Sequence, residues 1–78
     1  MGLWNGRGWS IKTLGTFIRT SRIKLGYTLD ELSLKTGISI TSLSAIENDK
    51  KKPRFSNMKK LADVLRIDAS SVFEKYYL

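Results

Sequence analysis

From Ile11 onward the apolar positions fall into helical spacing. Ile11, Leu14, Ile18 and Leu25 recur at intervals of three, four and seven, with Phe17 widening the stripe and Arg19, Arg22 and Lys24 off it. This predicts a first helix over about residues 12–25, stopped by Gly26. The next segment carries the clearest local signature in the chain. Thr28-Leu29-Asp30-Glu31 has the form of a capping box, in which the Thr28 hydroxyl accepts from the third amide of the helix and Glu31 reaches back to the cap. Tyr27 before the cap and Leu32 after it have the spacing of a hydrophobic staple. Asp30 and Glu31 sit where a helix dipole favours negative charge, and Gly37 ends the helix with an expected positive φ.

Residues 38–41 alternate apolar and polar like a strand, but the alternation fails at Ser42-Leu43. A lone strand has no partner for its backbone groups. Ile38, Leu43 and Ile46 instead suit a third helix over 40–48, capped by Ser39. A loop of Asn48, Asp49 and lysines follows, closed by Pro53. Ser56 is the expected cap of a fourth helix with Met58, Leu61, Ala62 and Leu65 on its apolar side. Asp68 is the expected cap of a fifth, with Val72, Phe73 and Tyr76 as its stripe. The pattern is therefore all-α, with five helices.

Length and composition narrow the class. A chain of 78 residues makes one small domain, in which residues 1–10 form a loosely packed arm and residues 11–78 the folded unit. The arm holds Gly2, Gly6 and Gly8 together with both tryptophans, Trp4 and Trp9, whose role its sequence leaves open. With no cysteine and no histidine, disulfides, thiolate metal sites, thiol catalysis and the usual neutral-pH general base are all excluded. No apolar run approaches the roughly 20 residues that a membrane-spanning helix needs, and no secretory leader pattern is present. A cytoplasmic protein without cofactor or metal is expected.

The net charge of +7 is unevenly spread. Residues 50–60 contribute +6, with Lys50, Lys51, Lys52, Arg54, Lys59 and Lys60 and no acid, while residues 14–49 sum to zero. A dense basic block suits polyanion binding, whereas a solvated, solubilising loop would look the same by charge alone.

The two short capped helices joined at Thr36-Gly37-Ile38-Ser39 have the length and turn chemistry of a helix-turn-helix. Leu32, Ile38, Leu43 and Ile46 would then face inward, with Ser33 and Ser44 small enough to let the helices approach. Ile40, Thr41, Ser42, Ala45 and Asn48 would occupy the opposite side of the third helix. A helix so presented fits the major groove of B-DNA, about 12 Å wide.

Tyr27 through Ser33, Gly37-Ile38-Ser39, Leu43 through Asn48 and Lys50 through Pro53 together resemble the phage-repressor-type helix-turn-helix family, the Cro and lambda-repressor-like regulators. The resemblance extends over residues 14–73. It implies a compact five-helix domain that binds operator DNA, usually as a homodimer on a palindrome, with the third helix as the recognition helix. Several positions depart from the family pattern. Leu29 stands where Gln is frequent, Ser33 where Ala is usual, and Asp49 and Arg66 at turns that often hold Gly. The recognition helix carries no Arg or Lys.

Roles follow residue by residue. Thr41 and Ser42, at the start of the third helix, are expected to touch bases or phosphates. Ile40 or Ala45 can meet a thymine methyl, and the Asn48 amide can pair with adenine or else bond its own backbone. Without an arginine–guanine fork, base readout is weak and biased to A·T, so DNA shape contributes to selectivity. Lys50, Lys51, Lys52 and Arg54 are the expected phosphate clamps. The start of the second helix offers amides to a further phosphate, assisted by Tyr27, Thr28 and Lys35. Glu47 is expected to be structural, paired with Arg19 or Arg22, a role the resemblance supports. Five of the last seven residues, Val72, Phe73, Tyr76, Tyr77 and Leu78, are apolar or aromatic. They either form a dimer surface or close the domain's own core.

The function expected is sequence-specific binding of double-stranded DNA by a small transcription regulator. An antitoxin or protein-interaction module with non-specific DNA affinity is the alternative. RNA binding is less favoured, because no stacking aromatics accompany the lysines. An enzyme is least favoured, for want of paired carboxylates, a phosphate loop or an activated nucleophile.

Overall fold

The computed structural model describes residues 13–78, so the expected arm and Ile11 lie outside the described residues. Five helices follow one another: α1 (Leu14–Lys24), α2 (Leu29–Thr36), α3 (Ile40–Glu47), α4 (Phe55–Leu65) and α5 (Ala69–Tyr76). Local chemistry explains most of their ends. Thr13 caps α1 by accepting from the Thr16 amide at 3.1 Å. At α2 both halves of the capping box form: the Thr28 hydroxyl accepts from Glu31 N at 3.1 Å, and the Glu31 carboxylate accepts from Thr28 N at 2.8 Å. These bonds hold the Glu31 carboxyl below its ordinary range, the one from the Thr28 backbone contributing most. Ser39 caps α3 and Asp68 caps α5 through their side chains. Gly26 and Gly37 both take positive φ, near +76°, where the chain leaves α1 and α2.

Helix α4 departs from expectation. It starts at Phe55 with Arg54 at the cap and no side-chain cap bond, so Ser56 lies inside the helix. The reason is tertiary. The Phe55 ring stacks on Phe73 of α5 at 3.8 Å between centroids, and this packing draws the first turn into the helix without a polar cap.

The core lies between α1, α2, α3 and α4 and is closed by α5. Ile18, Leu32, Leu43, Met58 and Leu61 are fully buried in it, with Leu14, Ile38, Ile46, Ala62, Leu65 and Val72 around them. Val72, expected at a dimer surface or as core, is 2% exposed and belongs to the core. Thr36 is buried and polar, but fully engaged. Its hydroxyl donates to Leu32 O at 2.7 Å and accepts from Ile38 N at 3.2 Å, bracing the turn between α2 and α3.

Helix α1 crosses the end of α3 so closely that only glycine fits at position 15. A Cβ there would stand 2.7 Å from both Glu47 O and Asp49 Oδ1 and against Ile46 O. The approach is secured by Asp49, whose carboxylate accepts from Gly15 N at 3.0 Å and from the Thr13 hydroxyl at 2.6 Å.

Asp49 and Arg66 both hold φ of +60°, a conformation that costs a non-glycine residue roughly 1–2 kcal/mol. They should respond differently to glycine. Arg66→Gly is expected to stabilise the domain by about 1 kcal/mol, a rise in melting temperature of about 5 °C. Asp49→Gly relieves the same strain but removes the acceptor for Gly15 N and Thr13, so it should give no gain. Thermal unfolding of the two variants checks this; equal gains would mean that the Asp49 bonds contribute nothing.

Candidate nucleic-acid interface

The tight Thr36–Ser39 turn and the buried Leu32, Ile38, Leu43 and Ile46 set α3 against α2 with one side of α3 outward. Ser33 and Ser44 are half-buried where the two helices meet. On the outward side, Ile40 and Thr41 are exposed, and Ser42 and Ala45 are half-buried. Asn48 caps the C-terminal end of α3. Its amide donates to Ser44 O at 2.9 Å, so it is engaged with its own helix. The first turn of α3 therefore presents an apolar residue and two hydroxyls to solvent.

The basic loop folds back beside that turn. Lys51 Nζ donates to Ser42 Oγ at 3.3 Å. With a lone pair of Ser42 taken by the ammonium, its O–H is left to donate, which suits the acceptors of the major groove: purine N7, guanine O6 and thymine O4. Lys50, Lys51 and Arg54 are exposed along the loop. Lys52 is held differently. Its Nζ donates to Tyr76 O at 2.5 Å and lies 4.3 Å from the centroid of the Tyr77 ring. Lys59 and Lys60 are exposed on α4.

The start of α2 is less suited to an anion than its sequence suggested. The Thr28 hydroxyl and backbone amide are both spent on Glu31, whose carboxylate, with Asp30, already occupies the positive end of the helix. Tyr27 is half-buried, with Lys35 Nζ 5.1 Å from its ring centroid.

Glu47 is buried behind α3 in a two-pronged ion pair with Arg22. Arg22 Nε donates to Oε2 at 2.7 Å and Nη2 to Oε1 at 3.0 Å, while Nη1 donates to Tyr27 O at 2.8 Å. The side chains are 12% and 5% exposed, and the bond to Glu47 raises the Arg22 pKa. Of the two candidate partners, Arg19 is exposed and is not in the pair. Arg22 thereby joins α1, α3 and the chain entering α2.

At the C-terminus, Phe73 and Tyr77 meet edge to face at 5.2 Å, and the Tyr77 hydroxyl donates to Pro53 O at 2.5 Å. Burial pushes the Tyr77 pKa up. Tyr76 is half-buried near Phe17, and Leu78 is 96% exposed. Phe55, which sequence reasoning left aside, is 58% exposed on the outer side of the Phe73 stack. Among the described residues, no helix is long and apolar enough to cross a membrane.

Five helices with the second and third set across a tight turn match the helix-turn-helix family model over residues 18–72, and the chain belongs to that family. Within it, this is a DNA-binding transcription regulator of the Cro/C1 type. Two solved structures are similar. One is SinR, the master regulator for biofilm formation, in complex with DNA: 29% identity, TM-score 0.72, covering 78% of this chain and 98% of that one. The other is a SinR/SinI protein complex: 28% identity, TM-score 0.73, covering 81% of this chain and 62% of that one. The comparison with curated proteins returned no match.

Proposed function

We propose that the chain is a sequence-selective regulator that lays the first turn of α3 in the major groove of double-stranded DNA, as a homodimer on a palindromic site. The observation that carries this is the contiguity of exposed Ile40 and Thr41 with Ser42 and the Lys51 ammonium 3.3 Å from it. One surface thus joins base-reading hydroxyls to a phosphate-gripping loop. Thr41 and Ser42 donate to base edges or phosphates, Ile40 meets a thymine methyl with Ala45 behind it, and Lys50, Lys51 and Arg54 grip the flanking backbone. Asn48 contributes to bases only by leaving Ser44, and Tyr27, Thr28, Lys35 and Lys52 are secondary. The solved SinR–DNA complex, similar over 78% of this chain, supports the assignment.

In a dimer the recognition helices would lie about 34 Å apart, one turn of the duplex. The apolar surface offered for pairing is Phe55 with the outer side of Phe73, together with Leu78, while Tyr76 and Tyr77 serve mainly their own domain.

Selection of bound duplexes from a random library tests the proposal. A short, twofold-symmetric, A·T-leaning motif is expected. The Thr41→Ala/Ser42→Ala double variant should lose about tenfold of the preference while remaining folded, at roughly 1 kcal/mol or less per hydroxyl. Flat enrichment would instead favour the interaction-module alternative.

A further inference from the structure

The basic loop and the residue after it are tied to the C-terminal aromatic residues by five contacts. Tyr77 Oη donates to Pro53 O at 2.5 Å, in the middle of the loop. Lys52 Nζ donates to Tyr76 O, one of the last carbonyls of α5, and lies over the Tyr77 ring at 4.3 Å. Phe55, immediately after the loop, stacks on Phe73 at 3.8 Å and meets Tyr77 edge-on at 6.1 Å. Pro53 is itself buried. Upstream, the loop is anchored by Lys50 N donating to Ala45 O at 2.9 Å. Between these anchors Lys50, Lys51, Lys52 and Arg54 are all exposed, but only Lys52 bonds to α5.

We propose that Tyr77 is a positioning residue for DNA binding: with Lys52 as its pin, it holds the 50–54 loop against α5 so that Lys50, Lys51 and Arg54 are preset to grip phosphates. The inference rests on the DNA-binding reading above and assigns the C-terminal aromatics a part in it that the dimer role does not include. The physical basis is preorganisation. A loop free to move must lose conformational freedom when it binds phosphates, and a loop already strapped to α5 loses less. Lys52 satisfies a helix-terminal carbonyl and the face of an aromatic ring, both favourable for an ammonium, and these contacts hold it to α5 although it remains exposed.

The test compares the full chain with Tyr77→Phe, which keeps the ring and loses only the bond to Pro53, and with Ser70→Ala, an exposed change on α5 away from the loop, as control. Binding to a selected duplex of about 20 base pairs is measured across a salt series, and 15N relaxation of residues 50–54 is measured without DNA. Tyr77→Phe is expected to weaken binding about three- to tenfold, to flatten the salt dependence, and to increase fast motion in the loop while the domain stays folded. Ser70→Ala should change none of these. Unchanged affinity, salt slope and loop relaxation in Tyr77→Phe would overturn the proposal. So would an affinity loss no larger than the fraction unfolded. Failure of the unaltered chain to bind any duplex would instead overturn the DNA-binding reading itself, and this inference with it.

Discussion

Glu47→Ala is expected to cost about 3 kcal/mol of folding stability, the lower end of the range for breaking a buried ion pair by removing one partner. The loss comes less from the attraction removed than from the guanidinium left behind. Arg22 would retain only the Tyr27 carbonyl at 2.8 Å while its side chain stays 12% exposed between α1 and α3. A guanidinium does not give up its proton near neutrality, so deprotonation offers no relief. A domain of this size has a total stability of roughly 4–10 kcal/mol, so the variant should sit close to its unfolding midpoint at mild urea concentrations. Replacing both partners by apolar residues, as in Arg22→Met/Glu47→Leu, should recover most of the loss, because no charge is then stranded. Equilibrium urea unfolding of the three proteins checks the account. A cost below about 1 kcal/mol for Glu47→Ala would show a pair screened like a surface one.

The second large effect concerns DNA. Changing Lys50, Lys51 and Arg54 together to Gln should lower affinity for a selected duplex about a hundredfold per protomer near physiological salt. It should also reduce the slope of log K against log salt by about 3 per protomer, from 0.9 for each phosphate neutralised. Stability should scarcely change, since the three side chains are exposed and surface substitutions of this kind stay within about 0.5 kcal/mol. The motif selected should persist, because phosphate contacts position and base contacts specify. Fluorescence anisotropy across a salt series measures both quantities. An unchanged slope would mean that the loop's charges do not meet phosphate.

Much of the fold was legible because its signals are local. The Thr28–Glu31 box, the Ser39 and Asp68 caps and the positive-φ glycines at 26 and 37 each depend on residues within four positions of one another. What escaped is tertiary. Gly15 reads as an indifferent glycine inside a helical pattern, and only the crossing of α1 over the end of α3 gives it a reason. Asp49 reads as a turn residue that replaces glycine, yet its carboxylate reaches back to α1, over thirty residues away. Ser56 lost the cap of α4 to a stacking contact with α5 that no local rule contains.

The candidate site divides in the same way. The outward positions of α3 follow from periodicity once Leu43 and Ile46 face inward. Which lysine of the 50–52 run bonds to α5, and which arginine pairs with Glu47, are decided by partners distant in sequence. Val72 illustrates the limit at the C-terminus, where an apolar run serves a core or a partner equally well by pattern and burial alone decides.

The central claim is that the first turn of α3 and the adjoining loop form one DNA-facing surface. Titrating the 15N-labelled protein with a selected duplex, and mapping the amide shifts, tests it most directly. The largest changes are expected at residues 39–45 and 50–54, with little at Ala69–Ser71. Perturbation confined to α1 and α5, with α3 unmoved, would contradict it.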